Sequence, residues 1–211
     1  MSQIRLDRAG ICADVHEHNC DVYVEANLHL SYIIPLLIEV FPGCKIIRIV
    51  RDGRVFVRSA YSKKRKTADG KYYSFMGSND PRKRLEPKDL SDEQYCDRWD
   101  SMSRFERICW HWVTLDSLIL QSIEGYAHAM SLKYEELFNP DNGFSILNQL
   151  LDFINMKNRI HLSDEELRCL LTRKKDSTTE YILPHWRDWP DELTRQFDGI
   201  AGNYMKRCGY E

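Results

Sequence analysis

The chain has 211 residues, of which 43% are hydrophobic and 29% are charged, and its formal net charge is -2. This composition is typical of a globular domain, and a near-neutral chain has no general attraction to nucleic acid or to an anionic membrane. No apolar run approaches the roughly 18 residues of a membrane span, and no apolar segment near the N-terminus is typical of a signal peptide. We therefore expect one domain covering residues 1–211, without a nucleic-acid or membrane partner.

The cysteines indicate a reducing compartment. The chain has seven of them, an odd number, and their spacing forms no disulfide framework. We therefore expect free thiols and a cytoplasmic protein. Cys12, His16, His18 and Cys20 form an N-terminal cluster of residue types that bind zinc, but the spacing is not that of a standard finger. For this segment we expect polar chain and no metal site.

The first part of the chain predicts strands and helices in alternation. Apolar and polar residues alternate in the first predicted strand, and Pro42-Gly43 ends a dense apolar run that is long enough for a buried helix. A β-branched run then stops at Asp52-Gly53 and continues with helical spacing. The predicted elements are a short strand over 20–25, a helix from near Tyr32 to Val40 with Pro35 in its first turn, a strand over 45–50 and a helix over 53–62.

Residues 63–98 differ from their surroundings. The segment is rich in lysine and arginine and contains turn-forming residues such as Asp69-Gly70 and Asp80-Pro81. We expect a long irregular insertion here. Two interpretations stay open: the insertion is a solvated, mobile loop, or it covers an anionic site.

Helical spacing returns after residue 98, and the tryptophans of this stretch are predicted to lie in the core. Ser163 and Glu166 form the sequence signature of a capping box. The predicted elements are a helix within 99–123, a strand over 129–134, helices over 144–154 and 163–171, and a last helix from Pro190 to Arg207. Strands separated by helices favour an α/β fold with a three-layer parallel sheet flanked by helices.

Arg51 and Ser59 form the first candidate site. In α/β sheets, ligands bind where strands end and helices begin, and the amides of a helix start attract anions. Arg51 ends a predicted strand, and Ser59 follows it by about two helical turns. Two donors in these positions can close on one phosphate, although an ordinary surface arginine and helix serine give the same pattern.

Four stretches together resemble the sulfotransferases that use 3'-phosphoadenosine 5'-phosphosulfate (PAPS). The Arg-Asp-Gly-Arg form of the first is more similar to tyrosylprotein and bacterial sulfotransferases than to the cytosolic phenol-sulfating enzymes. The stretches are Val50-Arg51-Asp52-Gly53-Arg54 with Ser59, the helix end Val40-Phe41-Pro42-Gly43-Cys44-Lys45, the segment Leu132-Lys133-Tyr134-Glu135-Glu136-Leu137, and residues 199–205 with Gly209-Tyr210, preceded by His185-Trp186 and Trp189.

The resemblance implies a P-loop-NTPase-like sulfotransferase fold and a set of site residues. Arg51 and Ser59 would bind the 3'-phosphate of PAPS, and Tyr134 would lie near the adenine. Arg173 and Lys174 correspond to a basic loop that binds the same phosphate. The resemblance places the catalytic base in the segment before the Phe-Pro helix, where the candidates are Glu25 and His29. It implies no metal.

The sequence departs from the family at one point. Family members begin with a strand and a loop of the type Pro-Lys-Ser-Gly-Thr-Thr, whose backbone amides hold the 5'-phosphosulfate, and the 211 residues contain no such loop. Three explanations stay open: residues 1–15 replace the strand, another chain supplies it, or this is a shortened, N-terminally truncated gene product. A second copy or a partner chain is accordingly expected to cover the open edge of the sheet.

Two functions are compatible with these observations. The first is transfer of a sulfuryl group from PAPS to a hydroxyl or amine acceptor. Such an enzyme would accelerate the transfer mainly by positioning the reactants and stabilising their charge. The alternative is a non-catalytic, sulfotransferase-like module that binds adenosine 3',5'-bisphosphate or a protein partner. The acceptor is not identified by the sequence.

Overall fold

The computed structural model describes residues 22–157, 162–172 and 180–211, together with the isolated positions Gly10, Ala13 and Glu17. The described chain divides into two compact units. The small unit contains the described residues up to Arg48 together with 117–130, and the large unit contains 49–116 together with the described residues from Ser131 onward. The single domain expected from the chain length stays a prediction.

The described elements are helices, short strands and single helical turns. Through Cys96 they are a 3₁₀ turn at Leu28–Tyr32, α1 Ile34–Val40, β1 Ile46–Val50, α2 Gly53–Ser62, β2 Lys64–Lys66, β3 Tyr72–Ser74, a 3₁₀ turn at Pro87–Leu90 and α3 Glu93–Cys96. Beyond it they are a 3₁₀ turn at Trp99–Ser101, α4 Arg104–Ser122, β4 Ala129–Lys133, α5 Tyr134–Leu137, α6 Gly143–Phe153, α7 Asp164–Thr172, a 3₁₀ turn at Trp186–Asp188, α8 Asp191–Phe197, a π turn at Asp198–Gly202 and α9 Asn203–Arg207.

The strand–turn–helix at the centre of the sequence is confirmed. β1 and α2 begin and end within one residue of the predicted bounds. α2 begins where it does because the Asp52 side chain accepts a hydrogen bond from the Arg54 amide at 2.8 Å, which is the geometry of a side-chain N-cap. α1 likewise has Pro35 in its first turn, and Gly43 follows it with a φ of +80° that favours glycine.

The described residues form two two-stranded sheets and a mixed α/β chain. β1 and β4 pair in parallel, and β2 and β3 form an antiparallel hairpin with Lys66 opposite Tyr72. The strand predicted over 20–25 is wrong in its described part, because Val22 to Glu25 have no regular structure. Alternation alone does not make a strand when no neighbouring strand accepts its backbone hydrogen bonds.

The segment 63–98 is not irregular throughout. It contains the β2–β3 hairpin, a 3₁₀ turn and α3, and it contributes Tyr73, Phe75, Met76 and Tyr95 to the buried residues. These apolar side chains lie between basic residues in the sequence, and their burial holds the segment to the large unit. The expectation of one long irregular insertion is therefore corrected.

The core of the large unit is built on α4. Ile108 and Cys109 are fully buried, Trp110 and Trp112 nearly so, and Val57 of α2 packs into the same cluster as Ile108 and Trp112. The prediction that the tryptophans here are core residues is confirmed for Trp110 and Trp112, while Trp99 is partly buried and packs against the core. The structure describes no helix that is long and apolar enough to cross a membrane.

Candidate functional site

Arg51 lies at the end of β1, and its side chain is half-buried. Its Nε is fully buried and has no hydrogen-bond partner among the described residues. The guanidinium lies 4.9 Å from the centre of the Tyr134 ring, which is 38% exposed. A buried guanidinium nitrogen without an acceptor is unfavourable, so this arrangement leaves one donor of Arg51 unsatisfied.

The backbone amides at the start of α2 are already occupied by protein groups. The Asp52 amide donates to Glu135 Oε1 at 3.0 Å, the Gly53 amide to the Met205 sulfur at 3.4 Å, and the Arg54 amide to Asp52 Oδ1 at 2.8 Å. The expectation that the helix-start amides attract an anion is therefore corrected for these three amides. Since these three amides have partners, side chains are the alternative donors for an anion at this position, and Arg51 is the nearest in sequence.

Glu135 connects three parts of the large unit. Its Oε1 accepts the Asp52 amide, and its Oε2 accepts the Tyr210 hydroxyl at 2.7 Å. Burial, reinforced by the Glu135 carboxylate, raises the pKa of Tyr210, so the phenol stays a donor at neutral pH. Lys133 adds a further bond to this region, from its Nζ to the Gly209 carbonyl at 2.8 Å. The start of α2, the start of α5 and the residues after α9 are thus held together.

Arg54 and Arg58 differ from Arg51 because both have acceptors. Arg54 forms a forked ion pair with Asp52, with its Nη2 2.7 Å from Oδ2, and its guanidinium lies 3.9 Å from the centre of the Trp186 ring. Arg58 donates from Nε to the carbonyl of residue 183 at 3.1 Å and stacks 3.7 Å from the Tyr181 ring centre. These two arginines therefore hold the segment 181–186 against α2.

Ser59 lies in α2 and is half-buried. It follows Gly53 by six residues, which is about 9 Å along a helix axis. Near the same end of the helix, the amide of Ile182 donates to the Ser62 hydroxyl at 2.9 Å. Arg173 and Lys174 lie outside the described residues, so their role stays a prediction.

Glu25 and His29 are not brought to Arg51 by any described contact. The exposed Glu25 carboxylate accepts hydrogen bonds from the Tyr23 hydroxyl at 3.0 Å and from the Asn27 amide at 3.4 Å. His29 lies in the 3₁₀ turn, and its side chain is outside what the structure describes. Both belong to the small unit, whereas Arg51 belongs to the large unit.

Comparison of the chain with models of protein families, with curated proteins and with solved structures gave no match. The functional argument therefore depends on the residues and contacts of this chain alone.

The described residues contain no group of three or more histidine, cysteine, aspartate or glutamate side chains that could hold a metal ion. The N-terminal cluster of Cys12, His16, His18 and Cys20 lies outside those residues. The five cysteines within them are free thiols, and burial raises the pKa of the Cys109 thiol.

The sequence did not predict that Glu135, Trp186 and Tyr210 contact the residues next to Arg51. One signal was available: arginines recur at 51, 54 and 58, where Arg51 follows the strand and Arg54 and Arg58 lie about one turn apart on the helix that begins at Gly53. That pattern predicts a row of cations. It does not show which of them already has an acceptor, because the acceptors lie far away in the sequence.

Proposed function

We propose that the chain is a sulfotransferase-like protein that binds the 3'-phosphate of PAPS or of adenosine 3',5'-bisphosphate at Arg51. One observation carries the proposal: within the described part of the chain, Arg51 has a buried Nε without an acceptor, while Arg54 and Arg58 beside it both have acceptors. A planar guanidinium suits a phosphate oxygen pair, and a phosphate would satisfy the missing hydrogen bond.

The neighbouring side chains fit a nucleotide with a phosphate at this position. The half-exposed Tyr134 ring next to the guanidinium offers a stacking face for a purine. The Ser59 hydroxyl, further along α2, supplies a second donor for the phosphate. Arg173 and Lys174 would add positive charge if the loop that contains them lies at the same phosphate.

In this proposal PAPS supplies the activated sulfuryl group, and the chain's own residues bind and orient the nucleotide. Transfer to a hydroxyl or amine additionally requires a base within hydrogen-bond reach of the acceptor, for which Glu25 and His29 remain the candidates. It also requires donors for the 5'-phosphosulfate, and the sequence contains no loop of the Pro-Lys-Ser-Gly-Thr-Thr type. The second candidate function, a non-catalytic module that binds adenosine 3',5'-bisphosphate, does not require such donors. We also propose that the chain has the three-layer parallel sheet that its resemblance to the sulfotransferases implies.

Calorimetry tests the binding step. We expect adenosine 3',5'-bisphosphate to bind and adenosine 5'-monophosphate to bind much more weakly, because only the former has the 3'-phosphate. Arg51→Ala should weaken binding by about tenfold or more, as expected for loss of a charge-assisted contact. Arg195→Ala is the matched control, because Arg195 is an exposed arginine of α8 outside the site. Equal affinity for both nucleotides, or equal binding by the Arg51 variant and the control, would contradict the proposal.

A transfer assay separates the two functions. The intact chain is incubated with labelled PAPS and a panel of hydroxyl and amine acceptors, alone and with an excess of adenosine 3',5'-bisphosphate. Nucleotide binding with label transfer at background identifies a binding module. Transfer that the bisphosphate suppresses, and that Arg51→Ala reduces, identifies an enzyme.

A further inference from the structure

The positive charge of the chain is concentrated in one segment. Residues 63–84 contain eight lysines and arginines but only two carboxylates, a net charge of +6 in a chain whose total is -2. Both carboxylates are already paired, Asp69 with Lys71 at 2.9 Å and Asp80 with Arg84 at 2.9 Å. A total charge near zero therefore conceals a strongly basic surface.

Six cations of this segment are exposed and have no carboxylate partner among the described residues. We call them the basic surface: Lys63, Lys64, Arg65, Lys66, Arg82 and Lys83. Since exposed cations without partners raise the local positive potential, this surface attracts anions more strongly than the rest of the chain does.

The β2–β3 hairpin arranges part of this surface around an aromatic ring. Lys64 pairs across the strands with Ser74, and Lys66 with Tyr72. Because side chains alternate between the two faces of a strand, these four share one face, opposite to the buried Tyr73. Tyr72 is 61% exposed, and the Lys66 ammonium lies 4.7 Å from its ring centre.

The hairpin is held in shape by hydrogen bonds of its own backbone and flanking residues. Asn79 Oδ1 accepts the Ser74 amide at 3.2 Å, while Asn79 Nδ2 donates to the Tyr72 carbonyl at 3.1 Å. At the tip, the Thr67 hydroxyl accepts the Lys71 amide at 3.0 Å. The exposed ring therefore stands on a fixed platform, which lowers the entropy lost when a ligand stacks on it.

A shallow groove of about 380 Å³ lies beside the ring and is lined by Lys64, Tyr72, Tyr73, Ser74 and Asn79. It offers an aromatic face, an ammonium group and a hydroxyl within one concavity. We propose that the basic surface binds single-stranded nucleic acid, with one base stacked on Tyr72 and the phosphates on Lys64, Lys66 and their neighbours. This is a site separate from Arg51, and it does not depend on the proposed nucleotide function.

Two features favour a single strand over other polyanions. Base stacking on an exposed aromatic ring, flanked by cations that follow the backbone, is the general recognition mode for unpaired nucleotides. A membrane surface needs apolar side chains that insert, but Tyr72 is the one large apolar side chain of residues 63–84 that is strongly exposed. An acidic protein surface would pair its carboxylates with the cations, but carboxylates do not stack on the Tyr72 ring.

Fluorescence anisotropy of the full chain with a labelled oligouridylate of about 12 nucleotides tests the proposal. We expect binding in low salt, with a log–log salt slope of about -0.7 for each phosphate that is neutralised. Lys64→Ala with Lys66→Ala should weaken binding by about tenfold and make the slope shallower by about 1.4. Tyr72→Ala should weaken it by about 5- to 100-fold, whereas Tyr72→Phe should bind like the natural chain, because stacking needs only the ring.

Lys88→Ala with Lys157→Ala is the matched control, since both lysines are exposed but are paired with carboxylates. This control and Arg51→Ala should both leave oligouridylate binding unchanged. No binding in low salt, or no loss in the double lysine variant, would overturn the proposal. So would an unchanged affinity of Tyr72→Ala, or competition by polyglutamate or phosphatidylserine vesicles as strong as by unlabelled RNA, because the surface would then be a general polyanion surface.

Discussion

His111 makes the stability of this protein depend on pH in a range where most side chains do not titrate. The residue lies in α4, is 3% exposed, and has a buried Nδ1 for which the described residues supply no hydrogen-bond partner. Its ring and that of Phe75 pack in a T-shaped arrangement, with 5.2 Å between the ring centres. Burial, with a smaller contribution from the Arg84 charge, lowers its pKa from 6.5 to about 4.

The sign follows from which state binds the proton more readily. Because the folded-state pKa lies below the unfolded value, the unfolded chain gains the proton first as the pH falls. The stabilisation is therefore complete above pH 6.5 and is lost as the pH falls from there toward 4. The shift corresponds to about 3 kcal/mol in total, of which about 2 kcal/mol is lost between about pH 7 and pH 5.

Urea denaturation of the natural chain and of His111→Leu at these two pH values measures the effect. We expect the free energy of unfolding of the natural chain to fall by about 2 kcal/mol more than that of the variant. His128→Gln, a substitution at an exposed histidine, should retain the natural dependence. Parallel pH dependences of the natural chain and His111→Leu would refute the reasoning, whatever the absolute stability of the variant.

Three further predictions concern packing, capping and thiol reactivity. Gly53→Ala should lower the midpoint of thermal unfolding by about 2–12 °C. The new Cβ would lie 2.8 Å from the Trp112 ring, and overpacking of this kind costs about 1–3 kcal/mol. An unchanged midpoint would show that the ring moves freely. Ser163→Ala should destabilise the chain by about 1 kcal/mol in urea, because Ser163 and Glu166 exchange capping hydrogen bonds at the start of α7, and a loss below about 0.3 kcal/mol would contradict this role. Cys109 should resist iodoacetamide at neutral pH in the folded state while the exposed cysteines react, because its thiol is buried and the pKa of that thiol is raised. Peptide mass spectrometry measures the labelling of each cysteine. Labelling of Cys109 as fast as that of the exposed cysteines would contradict the prediction.

Local chemistry was readable from the sequence, and non-local partners were not. Asp52-Gly53 predicts where β1 ends and α2 begins, and the structure confirms this boundary. Ser163 and Glu166 predict a capping box, and their side chains do exchange hydrogen bonds with each other's amides. In each case the residues that determine the structure are neighbours in the chain.

The failures have a common physical origin. The start of α2 was expected to bind an anion through its amides, but Glu135 and Met205 occupy them from 83 and 152 residues away. The basic composition of 63–98 suggested an irregular insertion, although Phe75 and Met76 within it pack into the core. Composition and spacing show which donors and apolar side chains a segment contains, but they do not show which distant segment contacts them.

The contacts around Arg51 have a consequence for how the protein is made. Three hydrogen bonds join the region around the start of α2 to residues 205–211. The Gly53 amide donates to the Met205 sulfur, the Tyr210 hydroxyl donates to the Val50 carbonyl, and Arg54 donates to the backbone oxygen of residue 211. At about 5–20 residues per second, a ribosome needs many seconds to synthesise the more than 150 residues between these partners. During that time Arg51 and its surroundings exist without their final contacts, so the site assembles only after residues 205–211 have been synthesised. A chain interrupted after α7 would carry every residue of the sequence motif around Arg51 and still lack the contacts that hold it in place.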